Sequence, residues 1–146
     1  MDEINLLDQF PGRATYFCTD HYEYLYANRH RLEFGPHPNF HQDGTWLQAV
    51  EGIEAKLPYR GRGFRAHCLG YSQRLAMWLH ERGYYYVSQA TRLEEVGIMP
   101  HRHTWGIWEM PIYYCDNTDF SERSYWHDGR PPFRKSVIEN AVTRPG

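Results

Sequence analysis

Two hydrophobic periods alternate along the chain. TWLQAVEGIEAKLP sets Trp46, Val50, Ile53 and Leu57 on one helical face, with Thr45 placed as its N-cap. YSQRLAMWLHERG repeats the pattern with Leu75, Trp78 and Leu79 on one stripe and Gly83 in the stop position. Glu3 to Phe10 shows the same spacing through Ile4 and Leu7 and ends at Pro11-Gly12, while Asp20 is placed to cap a further helix through HYEYLYANRHR. Between these segments lie short runs rich in β-formers: RATYFC (13–18), LEFG (32–35), GFRAHC (63–68), YYYVS (84–88) and GIWEMPIYYCDN (106–117). Helices and single strands taking turns over short connections predict an α/β architecture, with parallel strands and the helices outside. Thr118 to Gly146 is more polar, with weak helical character around Phe133 to Val142.

At 146 residues the chain is long enough for one domain with its own core. No repeat or linker divides it. A net charge of -2 gives no electrostatic footprint for nucleic acid. MDEINLLDQF has neither a basic start nor a long apolar run, and no segment reaches the about 18 apolar residues a membrane span needs. The expected chain is soluble and cytoplasmic. Cys18, Cys68 and Cys115 are odd in number and lack CxxC spacing, which favours reduced, buried thiols over a disulfide framework. Five Trp, twelve Tyr and seven Phe supply an aromatic excess, most of it expected in the core and its rim.

In parallel α/β folds function gathers where strands end. His37 and His41 follow the second strand, Arg65 and His67 end the third, and Asp116 ends the fifth, so these residues are expected on one rim. His37 and His41 stand at helical ligand spacing, yet Pro36 and Pro38 make a helix there improbable and stiffen a loop instead. Imidazole suits zinc, and a catalytic zinc site takes three protein ligands and a water, so the pair lacks a third ligand; two solvated loop imidazoles are the simpler alternative. Arg65, an arginine inside a strand, calls for a carboxylate partner, in a structural ion pair or as the holder of a catalytic carboxylate; Glu109 and Asp116 are the candidates. HRH (101–103) falls in a polar stretch after Pro100 and reads as solvated loop. There is no P-loop, no GxGxxG and no GxSxG, and no cysteine has a histidine partner in sequence.

RATYFCT, FGPHPNFH, GFRAHCLGYS-x-RL-x-x-x-L-x-x-x-GY and WEMPIYYCDN, in that order, resemble the NodB-homology polysaccharide deacetylases, most closely their WbmS-like branch, linked to O-antigen and surface polysaccharide synthesis. The resemblance runs from Ile4 to about Asp116. It implies a partial, distorted (β/α) barrel lacking the first strand, a divalent metal (zinc) as cofactor, and removal of N-acetyl groups from a sugar or polysaccharide. His37 and His41 match the family's paired metal histidines, with Pro38 where Ser or Thr is usual. Arg65 matches the arginine that orients the catalytic aspartate, and His67 stands where the family has proline. Arg65, His67 and Asp116 are thus the candidate catalytic residues. The family's aspartate pair precedes the helix on which this chain opens, so residues 1–146 are expected to be a single incomplete domain, short at both ends. Unpaired strand edges would then invite an oligomer or a partner that completes the barrel. The alternative function is a catalytically inactive fragment, or a carbohydrate-binding or interaction module.

Overall fold

The computed structural model describes residues 13–21, 23–40, 44–92 and 97–112. The helix expected at Glu3–Phe10, the polar tail, His41, Cys115 and Asp116 lie outside them.

Strand β1 (Ala14–Cys18) pairs in parallel with β2 (Leu32–Pro36), Ala14 opposite Leu32 and Cys18 opposite Pro36, across a short helix α1 (Glu23–Ala27). Helix α2 (Trp46–Glu54) leads to β3 (Gly63–Phe64), and α3 (Gln73–Glu81) to β4 (Tyr86–Val87). Strands β5 (His101–Arg102) and β6 (Trp108–Glu109) close a second sheet of order β3-β4-β6-β5. β3, β4 and β6 run parallel, and a bridge from Thr91 to Ile112 extends the last pair. The result is a mixed α/β structure with parallel sheets.

The helix ends follow their sequence signals. Gln48 N donates to Thr45 Oγ1 at 3.3 Å while the Gln48 side chain accepts from Thr45 N at 3.1 Å, a reciprocal capping box. Ser72 caps α3 by accepting from Leu75 N at 3.1 Å. Gly83 ends the same helix region at φ 90, which a Cβ would oppose.

Strand alternation divides the molecule into two faces. Phe64, Ala66, Val87 and Ile107 pack beneath Val50 of α2 and Leu75, Ala76 and Leu79 of α3, with Tyr84 completing a core whose members are at most 3% exposed. Cys18, Leu32 and Phe34 form a second cluster under Leu57. The residues between them in sequence, Thr15, Phe17, Glu33, Gly35, Arg65, Tyr86 and Ser88, face the other way.

Four expectations are corrected. β5 runs antiparallel to β6, so the sheet is not wholly parallel, and the first two residues of HRH are strand rather than loop. Gly106, at φ 86, closes the turn: its N–H donates to His103 O, and His103 N donates to Ile107 O. GFRAHC remains strand only at Gly63–Phe64 and turns at His67–Leu69 into a short 3-10 segment. Cys18 is buried and its thiol pushed up to about 11 by burial, but Cys68 is exposed, so the expectation of buried thiols holds for Cys18 and fails for Cys68.

A carboxylate holds α2 to the end of α3. Glu54 accepts from Arg82 Nη2 at 2.6 Å and from Tyr84 Oη at 2.6 Å, with Arg60 Nε at 3.4 Å. Burial raises its pKa, but hydrogen bonds from Arg82 and Tyr84 and the nearby arginine charges outweigh it, leaving the group below the usual carboxylate range. A lowered folded pKa stabilises the fold above the unfolded value of about 4.3 and loses that contribution as pH falls through the folded value. The urea midpoint is therefore expected to drop on acidification below about pH 4.5, with Glu54→Gln costing about 2 kcal/mol at neutral pH and flattening the acid limb. An unchanged acid limb in the variant would remove Glu54 from this role.

Candidate functional site

The face turned from the core carries three tiers of side chains, rising from the amino to the carboxyl ends of the strands. In the lowest, Tyr86 Oη lies 2.8 Å from Thr15 Oγ1 and donates to Glu33 Oε2 at 3.0 Å, while Glu33 Oε1 accepts from Arg62 N at 2.7 Å. Burial, partly offset by the Thr15 hydrogen bond and reinforced by Glu33, pushes the Tyr86 phenol up to about 12. This tier is a hydrogen-bonded polar floor.

Arg65 forms the middle tier. Its Nε donates to Ser88 O at 3.1 Å and its Nη2 to Ser88 Oγ at 2.6 Å, and its Cζ lies 4.6 Å from the centre of the Phe17 ring. Two hydrogen bonds to one residue and a ring across the guanidinium fix its plane. Gly35 is required beneath: a Cβ there would stand 2.5 Å from Gly63 O and 2.9 Å from Phe17 Cδ1.

His37 and His67 make the top tier, their ring centroids 5.6 Å apart and their planes at 87°. The proline pair explains how they come together. His37 N donates to Cys18 O at 2.7 Å, whereas the carbonyls of Pro36 and Pro38 point the other way and accept from Arg65 N and His67 N at 3.3 and 2.9 Å. Both prolines are almost fully buried. Each lacks the N–H that would complete a ladder toward β3, so β2 and β3 meet through carbonyl acceptors alone and the two sheets part there. The loop expected from the prolines is thus a strand continuation that sets His37 directly opposite the Arg65–His67 segment.

His37 Nδ1 is buried without a hydrogen-bond partner. Burial first, then the nearby His67 and Arg65, hold the imidazole pKa below its ordinary value, with a contact from the Arg65 backbone acting the other way. His37 is therefore neutral at physiological pH, the form that binds a metal, and carries an orphaned nitrogen. It fits a metal ligand. Among the described residues no group of three His, Cys, Asp or Glu side chains could hold an ion. His67 is exposed at the head of the 3-10 turn, where Cys68 at φ 53 and Leu69 at φ 56 are both left-handed. Such positions cost about 1–3 kcal/mol each in non-glycine residues and collect at functional sites.

Of the sequence candidates, the structure brings His37, Arg65 and His67 to one rim. Glu109 is not the partner of Arg65. It is 1% exposed on the core face, where Oε1 accepts from Gln89 N at 2.8 Å and Ala90 N at 3.1 Å, and Oε2 lies 3.3 Å from His103 Nε2. It stands two positions beyond core Ile107, and that parity excludes it from the opposite face. Of the HRH histidines, expected to be solvated, His101 is exposed, whereas His103 adjoins this carboxylate, stacks on Tyr71 at 5.3 Å and lies 5.6 Å from His101. Sequence reasoning missed Ser88 and Phe17. The period-2 alternation of YYYVS placed Ser88 beside Tyr86 on one face, which was the available signal.

Comparison with known proteins gives two matches. The model of the WbmS-like polysaccharide deacetylases matches residues 1–137. The 1.90 Å crystal structure of a candidate polysaccharide deacetylase involved in O-antigen biosynthesis, from Bordetella bronchiseptica, superimposes with a TM-score of 0.66 at 23% identity, over 75% of this chain and 50% of that one. At that identity the likeness is one of fold, and the chain spans half the length of the solved relative. None of the curated proteins compared with the chain matches it.

Proposed function

Because the chain belongs to the WbmS-like polysaccharide deacetylase family, we propose that it serves the hydrolysis of N-acetyl groups on a sugar or polysaccharide, in surface-polysaccharide or O-antigen synthesis. The observation that carries the reading is the rim itself: a neutral histidine with an orphaned buried nitrogen, one tier above an arginine clamped in one orientation. His37, with His41, would hold a divalent metal, zinc being the ion that imidazole ligands favour here. Such an ion, when bound, polarises an acetamide carbonyl and lowers the pKa of its water to near neutrality.

The protein's own groups set the rest. Arg65 is a fixed cation below the histidines, placed to orient a carboxylate base and to favour negative charge developing at the rim. Ser88 and Phe17 keep it there without rotamer searching. Glu33, already satisfied by Tyr86 and Arg62, leaves the floor without a competing free carboxylate. The polypeptide as given is proposed to be part of a distorted (β/α) barrel, with the general base and the third ligand supplied by segments outside the described residues.

Acetate release from N-acetylated oligosaccharides, measured with added Zn2+ and after chelation, tests the reading. Chelator-sensitive release is expected, and Arg65→Ala is expected to lower kcat by about 100-fold with a smaller change in KM, because it misplaces groups rather than removing substrate contacts. No release under any metal, with oligosaccharide still bound, would turn the reading to a carbohydrate-binding module.

A further inference from the structure

We propose that Glu109 is a positioning residue for Arg65, acting through the peptide unit that joins Ser88 to Gln89. The inference rests on the function proposed above, in which the Arg65 guanidinium orients the reacting groups. Glu109 lies on the core face and Arg65 on the opposite one, yet a single trans peptide connects them. The carbonyl of that unit, Ser88 O, accepts from Arg65 Nε at 3.1 Å, and its N–H, on Gln89, donates to Glu109 Oε1 at 2.8 Å. The C=O and N–H of a trans peptide point in opposite directions, so the carboxylate holds one end of the unit and the guanidinium the other. Both are charge-assisted hydrogen bonds, and each polarises the peptide in the sense that strengthens its counterpart. The carboxylate that an arginine in a strand calls for is therefore present, one peptide removed.

The grip is not confined to one bond. Glu109 Oε1 also accepts from Ala90 N at 3.1 Å, so two successive N–H groups just past β4 converge on one oxygen. Oε2 lies 3.3 Å from His103 Nε2, a second anchor for the carboxylate. At 1% exposure no competing solvent loosens these contacts. Gln89 extends the hold to the next segment. Its Oε1 accepts from Ala66 N and its Nε2 donates to Gly70 O, both at 3.4 Å, spanning the turn that carries His67. Packing alone is poorly served by a carboxylate here, since taking its charge out of water is costly. Its hydrogen bonds are directed at the segment that clamps Arg65.

NMR of the Arg65 side chain, together with acetate release, tests the inference. Glu109→Asp keeps the charge but draws the acceptor back by one methylene. It is expected to shift and broaden the Arg65 Nε–H signal, which is identified by its absence in Arg65→Lys. The same variant is expected to lower kcat about 10-fold with KM nearly unchanged, as misplacement of an orienting group does. Glu109→Gln keeps an acceptor oxygen at the same reach and is expected to retain the signal and most of the turnover. A purely structural role would lower the melting temperature of Glu109→Asp and leave the signal and kcat of the folded protein unchanged; that result overturns the inference. Should Glu109→Asp not fold, amide exchange in the unaltered chain decides: Gln89 and Ala90 are expected to be strongly protected, and rapid exchange at both overturns the inference. If the unaltered chain releases no acetate, the proposed function fails, and the Arg65 signal still decides whether Glu109 holds the clamp.

Discussion

Replacing His37 and His41 together by alanine is expected to reduce bound zinc from about one ion per chain, the single-site limit, to background, and to abolish acetate release. Two ligands disappear at once, and no remaining imidazole can restore a site that needs three protein ligands. The effect should also appear without any activity measurement. A ligand present at 100 times its Kd stabilises the folded state by about 2.7 kcal/mol, which for a domain of this size corresponds to a melting shift of roughly 5–10 °C. The unaltered chain should show that shift on adding Zn2+, and the double variant should not. The metal-free variant should melt close to the unaltered chain, because truncating His37 removes a buried Nδ1 that has no hydrogen-bond partner in the fold. A double variant that keeps both its zinc and its metal-induced shift would place the ion elsewhere and end the proposal for this rim.

Much of this architecture could be read from the chain because its signals are local. The capping box of α2 needs only Thr45 and Gln48, three residues apart, and the stop after α3 needs only a glycine that accepts φ 90. Parallel pairing of β1 with β2 follows from helices between successive strands. The convergence of His37, Arg65 and His67 was legible for the same reason, since all three stand just past a strand end. What escaped was decided by partners far apart in sequence. Arg65 signalled a carboxylate, but the clamp on its guanidinium is Ser88, 23 residues away and uncharged, with the Phe17 ring across it. No charge pattern announces such a clamp. HRH looked like loop because its residues are polar, yet β-pairing needs only a partner and a turn, which Trp108–Glu109 and Gly106 provide. Polarity there marks an exposed edge of a sheet.

The same alternation that hides Ser88 makes the second large effect separable from the first. Phe64→Ala is expected to cost about 3–5 kcal/mol, the range for truncating a buried aromatic. Phe64 is 0% exposed, lies 6.5 Å from the near-parallel Phe40 ring and 6.0 Å from the perpendicular Tyr84 ring, and shares its cluster with Val50, Leu79 and Val87. The side chains around it come from β4 (Val87), from helices α2 and α3 (Val50, Leu79) and from connecting segments (Phe40, Tyr84), so the void cannot close without moving several elements. At about 2–4 °C per kcal/mol the melting temperature should fall by roughly 6–20 °C. Arg65, the next residue, points to the other face, and its loss should act mainly on turnover. Metal affinity of Phe64→Ala, measured well below its melting range, should stay within a few-fold of the unaltered chain, because β3 still carries Arg65 and His67 to the rim through Pro36 and Pro38. If Phe64→Ala melts within about 3 °C of the unaltered chain, about 1 kcal/mol by the same scaling, the core does not rest on β3 as described; if it instead abolishes metal binding while folded, the two faces are coupled and the rim depends on core packing.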